Sequence, residues 1–283
     1  MKKLKRTILL VVAVILCILV VWTIWSNTAL EVNTYVFINE DLPAAFDGFR
    51  IAHISDLHNA TFGTDNQDLI LLLKESQPDI IVITGDLIDS RRTDIDIAKA
   101  FIAEATTIAP CYYVTGNHEA RVSEYDDLKN YLLQLGVIIL DDANCTIQRS
   151  DEKISLIGIN DPSFETDYLT GDAASIVSSK LNELTTSTAE FSILLSHRPE
   201  LFEIYVDSNI DLVFSGHAHG GQIRLPLIGG IIAPNQGLFP EYDNGLYSSD
   251  ETTMVVSRGI GNSLFPFRFN NRPEIVVIEL KSK

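Results

Sequence analysis

Clusters of His, Asp and Asn follow apolar runs at five places in the chain, and this pattern limits the fold more than any other feature. The runs RIAHIS, DIIVITG, YYVTG, FSILLS and DLVFSG lead into DLH (56–58), DLID (86–89), NHE (117–119), His197 and HAH (217–219). Ligands gather at the carboxyl ends of strands in open α/β sheets. The sequence therefore predicts an α/β fold whose strand ends bring these clusters to one site.

Hydrophobic periodicity predicts the order of the elements. Strand patterns cover residues 50–55, 79–86, 111–118, 191–197, 211–217, 252–259 and 274–280, and helical patterns cover 65–76, 94–108, 123–136 and 174–186. Helices alternate with buried strands in the first half, and strands dominate the second. This order favours two packed sheets with helices outside them. The segment 220–247 is rich in Gly and Pro and is predicted as a long loop.

The N-terminus predicts a membrane anchor. Residues 8–25 contain no charge, and Thr23 is their only polar residue besides Cys17. A helix of this length spans about 27 Å, enough to cross the hydrocarbon core. Four basic residues precede the run, which predicts a cytoplasmic N-terminus and an extracytoplasmic domain. A cleaved signal peptide is the alternative, although its apolar region is usually only about 7–15 residues long.

The remaining chain is predicted to form one acidic domain. We place the anchor at 1–30, a linker and first strand at 31–47, and the main domain at 48–283. The net charge is −17 overall, and without the four N-terminal basic residues 17 basic residues face 38 acidic ones, a net charge of −21. Such a charge repels polyanions and excludes nucleic acid as an expected partner.

The clustered residue types point to a metal site. Buried carboxylates and imidazoles must be paired or bound to metal, and a set of N and O ligands without thiolate suits Mn, Fe, Zn or Co. His53 is the one histidine outside the clusters, and its position within a strand favours a core role. The chain has only three cysteines, Cys17, Cys111 and Cys145, which excludes a cysteine metal cluster.

Taken together and in order, DLH, GDLID, GNHE, a lone His after an apolar strand, and GHAH resemble the calcineurin-like metallophosphoesterase superfamily. The resemblance covers roughly residues 48–281. The apolar N-terminus, GHAHGGQIRLP and the ending RPEIVVIEL are similar to the bacterial membrane-anchored branch of that superfamily. The resemblance implies a two-sheet β-sandwich flanked by helices.

The resemblance also implies a role for each clustered residue, with two divalent metal ions per chain. One metal would be held by Asp56, His58 and His219, and the other by Asn117, His197 and His217. Asp86 would bridge the two metals. His118 would protonate the leaving oxygen, and Asp89 would orient its ring.

The activity implied is hydrolysis of a phosphoester or pyrophosphate bond by a metal-bound hydroxide. The substrate would be a phosphorylated small molecule or lipid, and the loop 225–234 either lines an acyl site or packs on the sandwich. One alternative is a UDP-2,3-diacylglucosamine-type pyrophosphatase of lipid A synthesis, against which the extracytoplasmic orientation counts. A non-catalytic scaffold on the same fold is the other, against which the complete ligand set counts.

Overall fold

Two six-stranded sheets form the centre of the fold after the N-terminal helix. The structure is a computed structural model and describes residues 2–166, 172–187, 191–263 and 265–283. The described helices are α1 (Lys2–Thr28), α2 (Gln67–Glu75), α3 (Ile95–Ala105), α4 (Tyr125–Gln134), α5 (Ala173–Leu184) and α6 (Phe202–Asp207). The described strands are β1 (Glu31–Asn39), β2 (Arg50–Ile54), β3 (Ile80–Thr84), β4 (Cys111–Val114), β5 (Ile138–Ile139), β6 (Ala143–Arg149), β7 (Glu152–Gly158), β8 (Ser192–Leu195), β9 (Leu212–Ser215), β10 (Arg224–Leu225), β11 (Gly229–Gly230), β12 (Ile232–Ala233), β13 (Gly237–Leu238), β14 (Gly245–Ser249), β15 (Thr252–Val256) and β16 (Glu274–Ser282).

The strand order brings the carboxyl ends of the central strands together. The first sheet has the order β1-β16-β2-β3-β4-β5, and the second has the order β14-β15-β9-β8-β7-β6. In the first sheet β2, β3 and β4 run parallel to one another. In the second sheet β7, β8, β9 and β15 are also parallel. The residues that follow these strands therefore lie together at one end of each sheet.

The two sheets pack face to face and helices cover their outer faces. Ile51 and Val82 of the first sheet and Ile193 and Phe214 of the second belong to the apolar core between the sheets. The outer face of the first sheet packs against α2, α3 and α4, and that of the second packs against α5 and α6. Strand β3 is buried at every residue, as expected for a β-branched strand covered on both faces. The predicted α/β sandwich flanked by helices is confirmed.

The structure differs from the predicted elements mainly in the second half. Helix α6 was not predicted, because its six residues are too few to show a helical period. The predicted loop 220–247 contains two short hairpins, β10–β11 and β12–β13. Helix α1 is longer than the apolar run and is long and apolar enough to cross a membrane. Cys111 and Cys145 are both free.

Candidate metal centre

The seven residues predicted to bind metal lie together where the two sheets meet. Those after β2, β3 and β4 come from the first sheet, and those after β8 and β9 come from the second. All seven are buried: Asp56, His58, Asp86, Asn117, His197, His217 and His219.

The first group of ligand atoms joins the loop after β2 to the loop after β9. The side chains of Asp56, His58 and His219 each offer an atom within 4.8 Å of the other two. His219 Nε2 lies 3.3 Å from Asp56 Oδ1 and 3.2 Å from His58 Nε2. Because one carboxylate and two imidazoles converge on one point, this group can hold one divalent cation.

The second group joins the loop after β3 to the loops after β8 and β9. Asp86, His197 and His217 also offer atoms within 4.8 Å of one another. His217 Nδ1 lies 3.1 Å from His197 Nε2. Asn117 Oδ1 is buried and has no hydrogen-bond partner among the described residues. A buried amide oxygen without a hydrogen-bond partner is expected where a cation is to be bound.

One oxygen of Asp86 lies between the two groups. Asp86 Oδ2 is 3.4 Å from His58 Nε2 and 3.3 Å from His197 Nε2. The other oxygen, Oδ1, accepts a hydrogen bond from the His118 backbone N–H at 2.8 Å. The carboxylate is thereby held in an orientation that presents one oxygen to both groups.

Five of these residues adopt a left-handed backbone conformation. The φ angles are 54° at Asp56, 45° at His58, 51° at Asp86, 65° at His217 and 49° at His219. Each such residue costs about 1–3 kcal/mol and persists only where the surrounding structure fixes it. The clustering of this strain at one site supports a functional role for the loops.

Backbone and side-chain acceptors fix two of the imidazole rings. His197 Nδ1 lies 2.6 Å from the Thr84 carbonyl, to which it must donate, so Nε2 is free to face Asp86. His217 Nε2 lies 2.9 Å from Asn235 Oδ1, which leaves Nδ1 to face His197. Asn235 belongs to the turn between β12 and β13, and nothing in the sequence pattern indicated its contact with the site.

Electrostatics keep the carboxylates charged and the His219 ring neutral. Burial alone raises the pKa of the Asp86 carboxyl, but the neighbouring His197 outweighs burial and holds that pKa well below its ordinary value. In turn, burial alone would lower the pKa of His197, but Asp86 raises it to about 10. Burial lowers the pKa of His219 to about 3, despite the neighbouring Asp56. Metal ions bind charged carboxylates and neutral imidazoles, so metal binding would require His197 to lose its proton.

Glu119 joins two of the loops that carry site residues. Its buried carboxylate accepts hydrogen bonds from the backbone N–H groups of Asp86 at 2.9 Å and Gly116 at 2.8 Å. The two loops approach so closely that a Cβ at Gly85 would lie 2.2 Å from Gly116 N, and Gly85 has a φ of 83°. Glu119 therefore fixes the spacing between Asp86 and Asn117, a role that sequence reasoning left open.

His118 lies beside His58 and Asp86 and lines the pocket. Its Nδ1 accepts a hydrogen bond from the Ser90 backbone N–H at 2.9 Å, so the proton of the neutral ring is on Nε2. Burial lowers the pKa of His118 to about 4, which keeps the ring neutral near pH 7. Ser263 Oγ lies 3.3 Å from Nε2 and was not predicted to be near the site.

Asp89 does not hold the His118 ring in the way we expected. Its Oδ1 lies 3.7 Å from Nδ1, which is longer than a hydrogen bond. The carboxylate instead accepts from the backbone N–H of Arg91 at 2.9 Å and from the Arg92 guanidinium at 3.0 Å. Ser90, and not Asp89, is the hydrogen-bond partner of His118 Nδ1. An indirect orienting role of Asp89, through the turn that contains Ser90, stays a prediction.

Comparison with known protein families gives a match at the segment that carries these loops. Residues 49–221 match the family model described as calcineurin-like phosphoesterase. The chain is a calcineurin-like phosphoesterase. Members of this family are metal-dependent phosphoester hydrolases, and the predicted resemblance and enzyme class are both confirmed.

Relatives of this phosphoesterase extend the similarity over most of the chain. The uncharacterized metallophosphoesterase YkuE of Bacillus subtilis is 33% identical over 265 residues, which is 89% of this chain and 86% of that protein. The phosphodiesterase YaeI of Escherichia coli is 29% identical over 241 residues, 82% of each chain. A protein of Danio rerio named transmembrane protein with metallophosphoesterase domain is 30% identical over 86% of this chain and 55% of its own length.

The candidate metal centre opens into a cavity of about 550 Å³. The site residues that line it include Asn117, His118, His217 and His219. Arg91 and Arg121 line it and add positive charge. Ile232, Pro234 and Phe265 form an apolar wall. The cavity can therefore accept a phosphate group together with an apolar substituent.

Proposed function

We propose that the chain is a membrane-anchored phosphohydrolase with two divalent metal ions per chain. It cleaves a phosphoester or pyrophosphate bond in a phosphorylated small molecule or lipid. The observation that most supports this proposal is the position of Asp86 Oδ2, 3.4 Å from His58 Nε2 and 3.3 Å from His197 Nε2. A carboxylate oxygen shared by two ligand groups is the arrangement that a two-metal centre requires.

The proposed ligands follow from the two groups. Asp56, His58 and His219 would hold one ion, Asn117, His197 and His217 the other, and Asp86 both. Imidazole, carboxylate and amide ligands suit Mn, Fe, Zn or Co. When bound, the two ions would supply Lewis acidity that neutralises phosphate oxygens and lowers the pKa of a water molecule.

The chain's own side chains would handle the leaving group and the substrate charge. His118 Nε2 carries the ring proton and faces the cavity, so it is the atom placed to donate a proton to the leaving oxygen. Arg91 and Arg121 would attract the phosphate to the cavity.

A substrate screen tests this function. We expect the full-length protein, purified in detergent and loaded with Mn²⁺ or Zn²⁺, to hydrolyse at least one class among phosphate monoesters, phosphodiesters and pyrophosphates. Turnover should disappear with a chelator and return when metal is added back, because the metals supply the Lewis acidity. Absence of turnover on every class with metals bound would favour the non-catalytic scaffold.

The membrane topology is part of the proposal. Residues 8–25 of helix α1 carry no charge, and none of its most apolar 18-residue stretch is buried within the protein. Four basic residues lie in its first turns. Basic residues before a span are retained in the cytoplasm, so residues 31–283 would lie outside.

Protease added to intact cells or protoplasts should therefore digest the catalytic domain and spare the N-terminus. A tag at each end of the chain reports the two fates separately on an immunoblot. If the domain is protected until the membrane is permeabilised with detergent, the orientation is the reverse of the proposed one. Release of an intact domain of shortened length would instead indicate a cleaved signal peptide.

A further inference from the structure

The C-terminal end of α1 is bound to residues 262–263 and 265–272, which we call the anchored segment. Asn27 Oδ1 accepts a hydrogen bond from the Arg268 backbone N–H at 2.8 Å, and Asn27 Nδ2 donates to the Arg268 carbonyl at 2.9 Å. Ser26 is fully buried, and its Oγ accepts from the Asn270 backbone N–H at 3.0 Å. The end of the helix is thus part of the folded domain and is not separated from it by a flexible linker.

The same segment forms one side of the catalytic cavity. Ser263 and Phe265 line the cavity, and Ser263 Oγ lies 3.3 Å from His118 Nε2. Gln222, three residues after His219, donates hydrogen bonds to the carbonyls of Phe265 at 3.3 Å and Phe267 at 2.8 Å. The end of α1 and the loop after β9 that carries His219 therefore both bind this one short segment.

Sheet topology gives a second reason why α1 lies close to the site. Strand β1 is parallel to β16, which is antiparallel to β2, so β1 and β2 run in opposite directions. Strand β1 follows α1 directly, so its first residues lie at the end of the sheet where β2 finishes and Asp56 follows. The helix therefore joins the domain at the end of the sheet that carries the candidate metal ligands.

Large apolar side chains are exposed on the two hairpins of residues 224–239 and on the segment bound by α1. Leu227 is fully exposed, Leu238 is 66% exposed and Phe239 is 63% exposed. Ile228 and Phe267 are also exposed, and we refer to these five residues as the apolar rim. Apolar side chains exposed together on adjoining turns mark an interaction surface.

The apolar rim is connected to the anchored segment through the backbone. The Arg224 N–H, at the base of the hairpin that bears Leu227, donates to the Phe269 carbonyl at 3.0 Å. The Phe239 N–H donates to the Ile231 carbonyl at 2.8 Å, which ties the second hairpin to the first. The rim, part of the cavity lining and the end of α1 are therefore all joined to one segment of the chain.

We propose that the apolar rim inserts into the interface of the bilayer that α1 crosses, and that the cavity takes the phosphate headgroup of a lipid from that bilayer. The lipid surface is the occupant because an apolar spanning helix ends on the same segment. Ile232 of the cavity lining pairs with Leu238 of the rim across the second hairpin, so the lipid's apolar portion would stay in contact with protein or acyl chains. The second half of the proposal rests on the proposed phosphohydrolase function.

Photo-crosslinking tests the insertion without reference to activity. The full chain, carrying p-benzoylphenylalanine at position 227 or 239, is reconstituted into phosphatidylcholine vesicles and irradiated. The control carries it at Leu133, an exposed residue of α4, which packs near β5 at the opposite end of the first sheet from β1. Inserted positions are surrounded by acyl chains, so lipid adducts should exceed the control by about tenfold. Labelling equal to the control, or adducts between two protein chains, would overturn the insertion.

A paired activity assay tests the source of the substrate. The double variant Leu227→Glu, Phe239→Glu is compared with Leu133→Glu, Ile138→Glu, which adds the same charge at exposed positions far from the rim. We expect the rim variant to lose at least about tenfold in hydrolysis of phospholipid in vesicles, because two apolar side chains no longer insert. Its turnover of bis(p-nitrophenyl) phosphate in solution should stay within about twofold of wild type, since neither residue lines the cavity.

The outcomes separate the two proposals. If wild type hydrolyses no ester but position 227 still crosslinks to lipid, the phosphohydrolase function fails and the membrane surface stands. If wild type hydrolyses the soluble diester and the rim variant cleaves vesicle lipid equally fast, loading from the bilayer fails. If wild type hydrolyses soluble esters only, a lipid substrate is overturned.

Discussion

Replacement of Asp86 by Asn is expected to remove most of the bound metal and to lower turnover by more than about 10²-fold. Mutation of a residue that only hydrogen-bonds to a metal ligand already lowers metal affinity or activity by about 10–100-fold. The substitution keeps an oxygen that can accept from the His118 N–H, so the loop can retain its conformation. It removes the charge of the one oxygen that faces both ligand groups. Elemental analysis should find about two transition-metal ions per wild-type chain and few in the variant.

Asp151→Asn is the matched control, since Asp151 is exposed in the turn between β6 and β7. It should keep both metal and turnover. Added metal should also raise the melting temperature of wild type and of this control, because a ligand that binds only the folded state stabilises it. An Asp86→Asn protein with full metal content and full turnover would rule out the bridging role.

Replacement of His118 by Asn is expected to leave the metals bound and to lower turnover by about 10²–10⁴-fold, the usual contribution of general acid catalysis. The ring proton on Nε2 faces the cavity, and Nδ1 is already occupied by the Ser90 N–H. The loss should be largest for alkyl leaving groups, which need a proton, and smallest for nitrophenol, which departs as an anion. A series of esters with different leaving groups, with metal content measured in parallel, checks this expectation.

His217→Asn provides the contrast for the same measurements. His217 Nδ1 faces the second ligand group, so this variant should lose metal and slow every ester alike. If His118→Asn also loses its metals, or slows good and poor leaving groups equally, His118 is a ligand or a positioning residue and not the acid.

The fold and the site were predictable from sequence where one local signal sufficed. Each of β2, β3, β4, β8 and β9 is a short apolar run, and the polar residue after it marks the end of the strand. Since parallel strands align their carboxyl ends, Asp56, Asp86 and Asn117 could be grouped before their distances were known. The sandwich followed from the excess of strands in the second half of the chain.

Contacts made by residues distant in sequence could not be predicted in this way. Asn235 reaches His217 from a hairpin turn, and Ser263 reaches His118 across 145 residues of chain. Both depend on how the segment 220–272 folds back over the site, and no period or motif encodes that path. Asp89 shows that a motif also cannot fix which of two adjacent residues makes a contact. The hydrogen bond to His118 Nδ1 that was predicted for Asp89 is made by its neighbour Ser90.

The placement of the ligands on both sheets has a consequence for the mechanical behaviour of the domain. On the proposed assignment, each ion takes ligands from loops of the first sheet, such as Asp56 or Asn117, and from loops of the second, such as His219 or His197. Each ion would act as a non-covalent cross-link between the two halves of the sandwich, comparable in position to a pair of inter-sheet disulfides. The force needed to separate the sheets, and the order in which their strands detach under load, would then depend on metal concentration.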